Sequence, residues 1–202
     1  IYVLHSGPDN IYEETELLKM LQYLDAPNVA VSAKTKVISV GYLGKLLNIY
    51  KRARYFTGER NSIGTPLLCN TQTNKQNPFD ETQRWSDDAE LCYRWKKLLN
   101  ARFFIADAEV GEIGEFGFSE LKMRWSMYGS SDYQVYESQS PSWTWRRKIK
   151  SFFYPLTNEL VVPLVSRNIT MVEKIRIIPF LLCITALRYF SWIKLSISGF
   201  PK

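Results

Sequence analysis

The chain of 202 residues is poor in the groups that metal centres and disulfide frameworks need, with one histidine and three cysteines. Cys69, Cys92 and Cys183 are odd in number and far apart. They suit free thiols in a reducing compartment, and no metal-binding spacing is present. There is no initiator methionine and no signal-peptide pattern; the chain opens directly on the apolar run Ile1-Tyr2-Val3-Leu4. That opening is expected of a fragment or processed product lacking an N-terminal part. No internal repeat or low-complexity tract is visible. Nor is there a clean run of the about 20 apolar residues that a transmembrane helix requires. Residues 177–187 are apolar, but Pro179 interrupts them and Arg188 ends them.

What is present is enough apolar side chain for a folded protein, 46% of residues, with 14% aromatic. The formal charge of +6 is unevenly spread. Acids concentrate in 80–120, whereas Trp145-Arg146-Arg147-Lys148-Ile149-Lys150 and the tail beyond Lys174 are basic. Basic residues beside aromatic and apolar ones fit an anionic membrane surface. The clustered acids argue against nucleic acid as a partner. The tail is therefore expected to be mainly helical and to lie in the membrane interface, or else to pack on the core or a partner.

Along the chain, strand-like and helix-like segments alternate. A strand at 1–4 precedes the turn-rich His5-Ser6-Gly7-Pro8-Asp9-Asn10, then a helix at 13–24 carrying Leu17, Leu18, Leu21 and Leu24 on one side. Extended structure is expected from Val29, an amphipathic helix over 41–54, a short strand near Leu67 and another over 101–106. The segment 110–117 reads as a connection, and 119–128 as a helix that Gly129 ends. This alternation predicts an α/β domain over about the first 130 residues. The domain division is expected at 136/137, with a basic, aromatic-rich extension over 137–202.

The densest chemistry lies in 79–94, where five carboxylates, two arginines and a tryptophan fall within sixteen residues. Two readings stay open there. In one, Ser86 caps a surface helix whose first turn holds Asp87, Asp88 and Glu90, where the helix dipole favours negative charge. In the other, a loop delivers one carboxylate into a cleft as a base.

Gly64-Thr65-Pro66-Leu67-Leu68, Pro78-Phe79-Asp80-Glu81 and Asp87-Asp88-Ala89-Glu90-Leu91-Cys92-Tyr93-Arg94 together resemble the second half of the family 2 glycosyltransferases. In that family an F-D-E element precedes an acid-Asp-x-x-Leu-x-x-Arg pattern, filled here by Asp87, Asp88, Leu91 and Arg94. The resemblance covers residues 1–136. It implies a GT-A-like, Rossmann-like fold, a mixed sheet with flanking helices that is incomplete at the N-terminus, and inverting transfer of a sugar from a nucleotide-sugar donor to a glycan or lipid-linked acceptor. It implies further that such a protein works in polysaccharide or glycoconjugate synthesis, peripheral to the cytoplasmic face of the membrane. By motif position Asp88 would be the catalytic base and Asp87 its neighbour, with Trp85, Arg94 and Thr65 as substrate-binding residues. Family members hold Mg²⁺ or Mn²⁺ on a DxD-like motif ending a strand. Here His5 stands in place of the first acid and Asp9 is the carboxylate left as a metal ligand. The later histidine that many relatives use is absent from 110–115, where Glu112 and Glu115 are the available oxygen ligands. The alternative is a catalytically inactive domain of this kind, serving as a membrane-associated binding or assembly module.

Overall fold

The structure, a computed structural model, describes residues 1–38, 41–80, 87–114 and 116–198, with Asp87 placed by its backbone. The chain forms two compact units: residues 1–40 with 55–114, and residues 41–54 with 115–202.

The first unit is α/β. Its strands are β1 (Tyr2–His5), β2 (Asn10–Ile11), β3 (Val29–Val37), β4 (Gly58–Arg60), β5 (Leu67–Asn70) and β6 (Arg102–Glu112). They make one mixed sheet in the order β1-β5-β3-β6-β2, with β4 also paired to β6. The pair β3–β6 is parallel, and β1–β5, β3–β5, β2–β6 and β4–β6 are antiparallel. Strand β3 lies at the centre, and its first five residues are all buried. A strand covered on both faces has no polar side to alternate, which is why Val29-Ala30-Val31 reads as a continuous apolar run. The β3–β6 register shifts between Ser32 and Lys34, which bends the pair.

Strand β6 runs six residues past the expected 101–106. Its far half alternates, with Ala106, Ala108 and Val110 buried and Asp107 and Glu109 exposed. Such alternation marks a strand with one wet face. Asp107 and Glu109 pair there with Lys34 at 2.5 Å and Lys36 at 3.3 Å across the sheet.

Helices cover both faces. Helix α1 (Glu14–Leu21) places Met20 against Val29, Val31, Ala106 and Val110. On the other face, Leu91, Cys92 and Trp95 of a helix over Asp87–Leu99 pack on Ala30, Leu67, Cys69 and Phe103.

The second unit is helical, comprising α2 (Tyr42–Arg54), α5 (Phe118–Gln139), α6 (Trp145–Phe152), a π-helical turn (Leu156–Val161), α7 (Val162–Val165) and α8 (Met171–Ser198); the helices Thr71–Gln76 and Asp87–Leu99 of the first unit are α3 and α4. Helix α5 does not end at Gly129. A Cβ there would lie 2.1 Å from the Arg188 carbonyl oxygen of α8. The glycine thus serves a close helix crossing, not a C-cap. Helix α8 likewise runs unbroken through Pro179, 28 residues in all. It is long and apolar enough to cross a membrane by length and composition.

Inside this unit Glu159 is completely buried. Its carboxylate accepts from Arg54 at 3.1 Å and Trp125 Nε1 at 3.4 Å, and also from Tyr50 and Arg188. Arg188 grips Asp132 with two bonds, at 2.5 and 2.8 Å. A buried carboxylate is tolerated only when so paired.

Candidate functional site

The site is a cleft of about 250 Å³ in the α/β unit, lined by His5, Ser6, Thr65, Phe79 and Asp88. A separate set of local contacts positions each residue. His5 ends β1, so the sheet fixes its backbone opposite Leu67 of β5. Its Nε2 lies 3.1 Å from Asn74 Oδ1. Asn74 is held in turn by α3, whose N-cap Asn70 accepts from the backbone N–H groups of Gln72 and Thr73 at 2.8 and 3.2 Å.

Phe79 is carried by a segment that α4 clamps. Trp95 Nε1 donates to the Asn77 carbonyl at 2.8 Å, and Arg94 donates to the Pro78 carbonyl at 2.7 Å. The Phe79 ring then meets His5 edge-on, with centroids 4.9 Å apart at 69°. Thr65 comes from the loop entering β5, where the Thr65–Pro66 peptide is cis.

Asp88 sits in the first turn of α4, where the helix dipole favours negative charge. Its Oδ1 accepts from Ala89 N–H at 2.7 Å. The carboxylate also approaches the backbone of Gly64, where an added Cβ would fall 2.8 Å from Asp88 Oδ2. Only a residue without a side chain leaves that oxygen its place. Beneath Asp88, the Cys92 thiol is raised to about 12, mainly by burial, with the Asp88 charge adding to it. That thiol is a packing group rather than a nucleophile.

The structure thus brings two of the sequence candidates, Asp88 and Thr65, into one cleft. Arg94 is not among the residues lining it. That guanidinium is held by Glu90 at 2.9 and 3.0 Å and by Pro78, and so positions the Phe79 segment. Asp9 is not a lining residue either. It lies in the turn after β1, its carbonyl accepting from Ile113 N–H at 2.8 Å and its carboxylate folded over Gly7. Trp85, Ser86, Glu115 and the side chain of Asp87 lie outside the described residues.

His5, Ser6 and Phe79 were not among the sequence candidates. Their signal was present, a polar turn ending a strand and the aromatic of the F-D-E element, but nothing in the sequence placed the two together.

The donor set does not make a cation site unaided. Among the described residues no three of His, Cys, Asp or Glu converge. Around Asp9 the neighbouring Asn10 Oδ1 already accepts from Gly7 N–H at 3.1 Å. The cleft does combine a carboxylate, an imidazole and hydroxyls against an aromatic wall. Such a set can take a proton from a hydroxyl and donate hydrogen bonds to an anionic leaving group. No protein-family model matches the chain, and no curated protein matches it.

Proposed function

We propose that this protein is an inverting glycosyltransferase of GT-A-like fold. It transfers a sugar from a nucleotide-sugar donor to an acceptor hydroxyl in polysaccharide or glycoconjugate synthesis. The observation that carries the reading is the convergence of the segments bearing the family resemblance. Thr65, Phe79 and Asp88 come from the three quoted motifs and meet around one cleft, with His5 and Ser6 from the strand end where the family keeps its acidic motif.

In this proposal Asp88 takes the proton of the acceptor hydroxyl as that oxygen bonds to the anomeric carbon. The bond from that carbon to the diphosphate breaks on the opposite side, and the nucleoside diphosphate leaves with the electron pair. His5 and Ser6 line the diphosphate side, the Ser6 hydroxyl turning from the Gly7 carbonyl, which it meets at 2.9 Å, to donate to the leaving group, and Phe79 supplies an apolar wall for a sugar ring. Asp87 shapes the field around the base, Trp85 contributes to the sugar site, and Arg94 acts as a positioning residue. Because the residues around Asp9 do not fit a cation by themselves, no step is routed through a metal.

The inactive-domain alternative is favoured by one observation, His5 in place of the first acid; it predicts a stable fold with no nucleotide-sugar turnover. Because His5 is the chain's sole histidine, its imidazole NMR signals report on this cleft alone. Titration with UDP-, GDP- and dTDP-sugars should shift them saturably for at least one nucleotide. Unmoved imidazole signals with every donor would sink the reading.

A further inference from the structure

The helical unit carries a surface that the transferase proposal does not use. One face of α8 is apolar and exposed along its length, at helical spacing, from Met171 through Ile175, Ile178, Leu182 and Phe190 to Ile197, the last 82% exposed. The opposite face, with Phe180, Leu181, Ile184 and Arg188, is buried.

Beside it lies α6, whose eight residues hold four cations and no acid. Trp145, Ile149 and Phe152 fall at i, i+4 and i+7 on one face and are exposed, while Arg146, Arg147 and Lys150 are exposed around them. The end of α6 is fixed to α8. Tyr189 donates to the Phe152 carbonyl at 2.7 Å, and the Phe152 ring lies 5.9 Å from Trp192. The basic helix therefore adjoins the part of the stripe that holds Phe190.

We propose that the helical unit docks on an anionic lipid bilayer through the stripe of α8 and the amphipathic helix α6, lying in the interface rather than crossing it. An apolar stripe flanked by arginine, lysine and tryptophan matches the boundary between acyl chains and negative headgroups. Crossing is opposed by α5. Trp125 meets Phe180, Gly129 meets Arg188, and Tyr136 meets Trp192, so α5 runs alongside α8. A spanning α8 would draw the exposed Lys122 and Glu137 of α5 into hydrocarbon. Lying flat leaves them in water. This docking is independent of the transferase reading and survives its failure.

The test uses the full chain, sedimented with vesicles of phosphatidylcholine alone or of phosphatidylcholine and phosphatidylglycerol at a ratio of about 3:1, with dimerisation followed by light scattering. Binding is expected to the anionic vesicles and to weaken steeply with salt. Replacing Arg146, Arg147 and Lys150 together by Gln should weaken it about fivefold per cation, on the order of a hundredfold in all. Ile175→Ser with Phe190→Ser should release the protein while circular dichroism stays unchanged. Equal binding to neutral vesicles, or an unaffected triple Gln variant, would overturn the proposal. So would dimerisation without vesicle binding, which makes a second copy the occupant of the stripe. Resistance to alkaline carbonate extraction would overturn the in-plane placement.

Discussion

Glu159→Gln removes one charge from the centre of the helical unit and keeps the shape. The carboxylate is wholly buried, and the side chains around it have little access to water, Arg188 being 7% and Arg54 17% exposed. Taking away one partner of a buried ion pair costs about 3–5 kcal/mol, because the other is left uncompensated. Arg188 keeps Asp132, and Gln still accepts from Tyr50 or Trp125. The loss should therefore fall at the low end, about 3 kcal/mol. In a chain of this size that is a fall in Tm of roughly 6–12 °C.

The pH dependence distinguishes charge from packing. Burial by itself would raise the Glu159 carboxyl, but Arg54 and Arg188, with hydrogen bonds from Tyr50 and Trp125, outweigh it and hold it below its ordinary 4.5. Asp132 moves the other way, burial, with the Glu159 charge, outweighing the Arg188 guanidinium that it bonds and the weaker pull of Arg54. A group whose folded pKa is depressed contributes stability that is complete above its unfolded value and lost as pH falls through the folded one. The gap between wild type and Glu159→Gln should thus be constant from pH 7 down to about 5 and close below pH 4.5. Urea unfolding followed by circular dichroism measures it. A gap under about 1 kcal/mol at pH 7, or one unchanged at pH 3, would mean that the Glu159 charge does not hold the helical unit together.

Gly129→Ala should cost about 1–3 kcal/mol by forcing α5 and α8 apart at the Arg188 carbonyl, read as a lower urea midpoint; an unchanged midpoint would mean the helices do not approach so closely. Burial pushes the Cys69 and Cys92 thiols up to about 12, so in the native state both should resist thiol reagents until the chain is unfolded, while the half-buried Cys183 labels first. Prompt native labelling of Cys92 would contradict the packing drawn beneath Asp88.

Local pattern disclosed the α/β class and most elements. The helices near 13–24 and 41–54 appear as α1 and α2 with ends shifted by up to three residues, as expected where termini fray. What misled was punctuation. Gly129 and Pro179 are helix breakers in isolation, but a glycine also admits a neighbouring helix, and a proline within a long helix is carried by the packing around it. The length of β6 was legible in the alternation of 106–110, although the glycines and glutamates of 110–117 resembled a connection. Within the site, Asp88 and Thr65 were visible because a motif spacing marks them. His5 and Phe79 meet only through Asn74, Arg94 and Trp95, contacts that no linear spacing encodes. The Glu159 cluster was invisible for the same reason, joining residues from 50 to 188.

The most direct test of the transferase claim is release of nucleoside diphosphate from a sugar donor, with an acceptor present, by wild type and by Asp88→Asn. The substitution removes the proton acceptor at nearly constant volume, and loss of a general base typically costs about 10²–10⁴-fold in rate. The transferase reading predicts turnover by wild type and a fall of that size in Asp88→Asn, with unchanged donor-induced shifts of His5 and a Tm lowered by no more than about 1–4 °C for the lost helix-dipole interaction. Equal turnover by both proteins would contradict it, as would the absence of turnover in wild type with every donor that shifts His5.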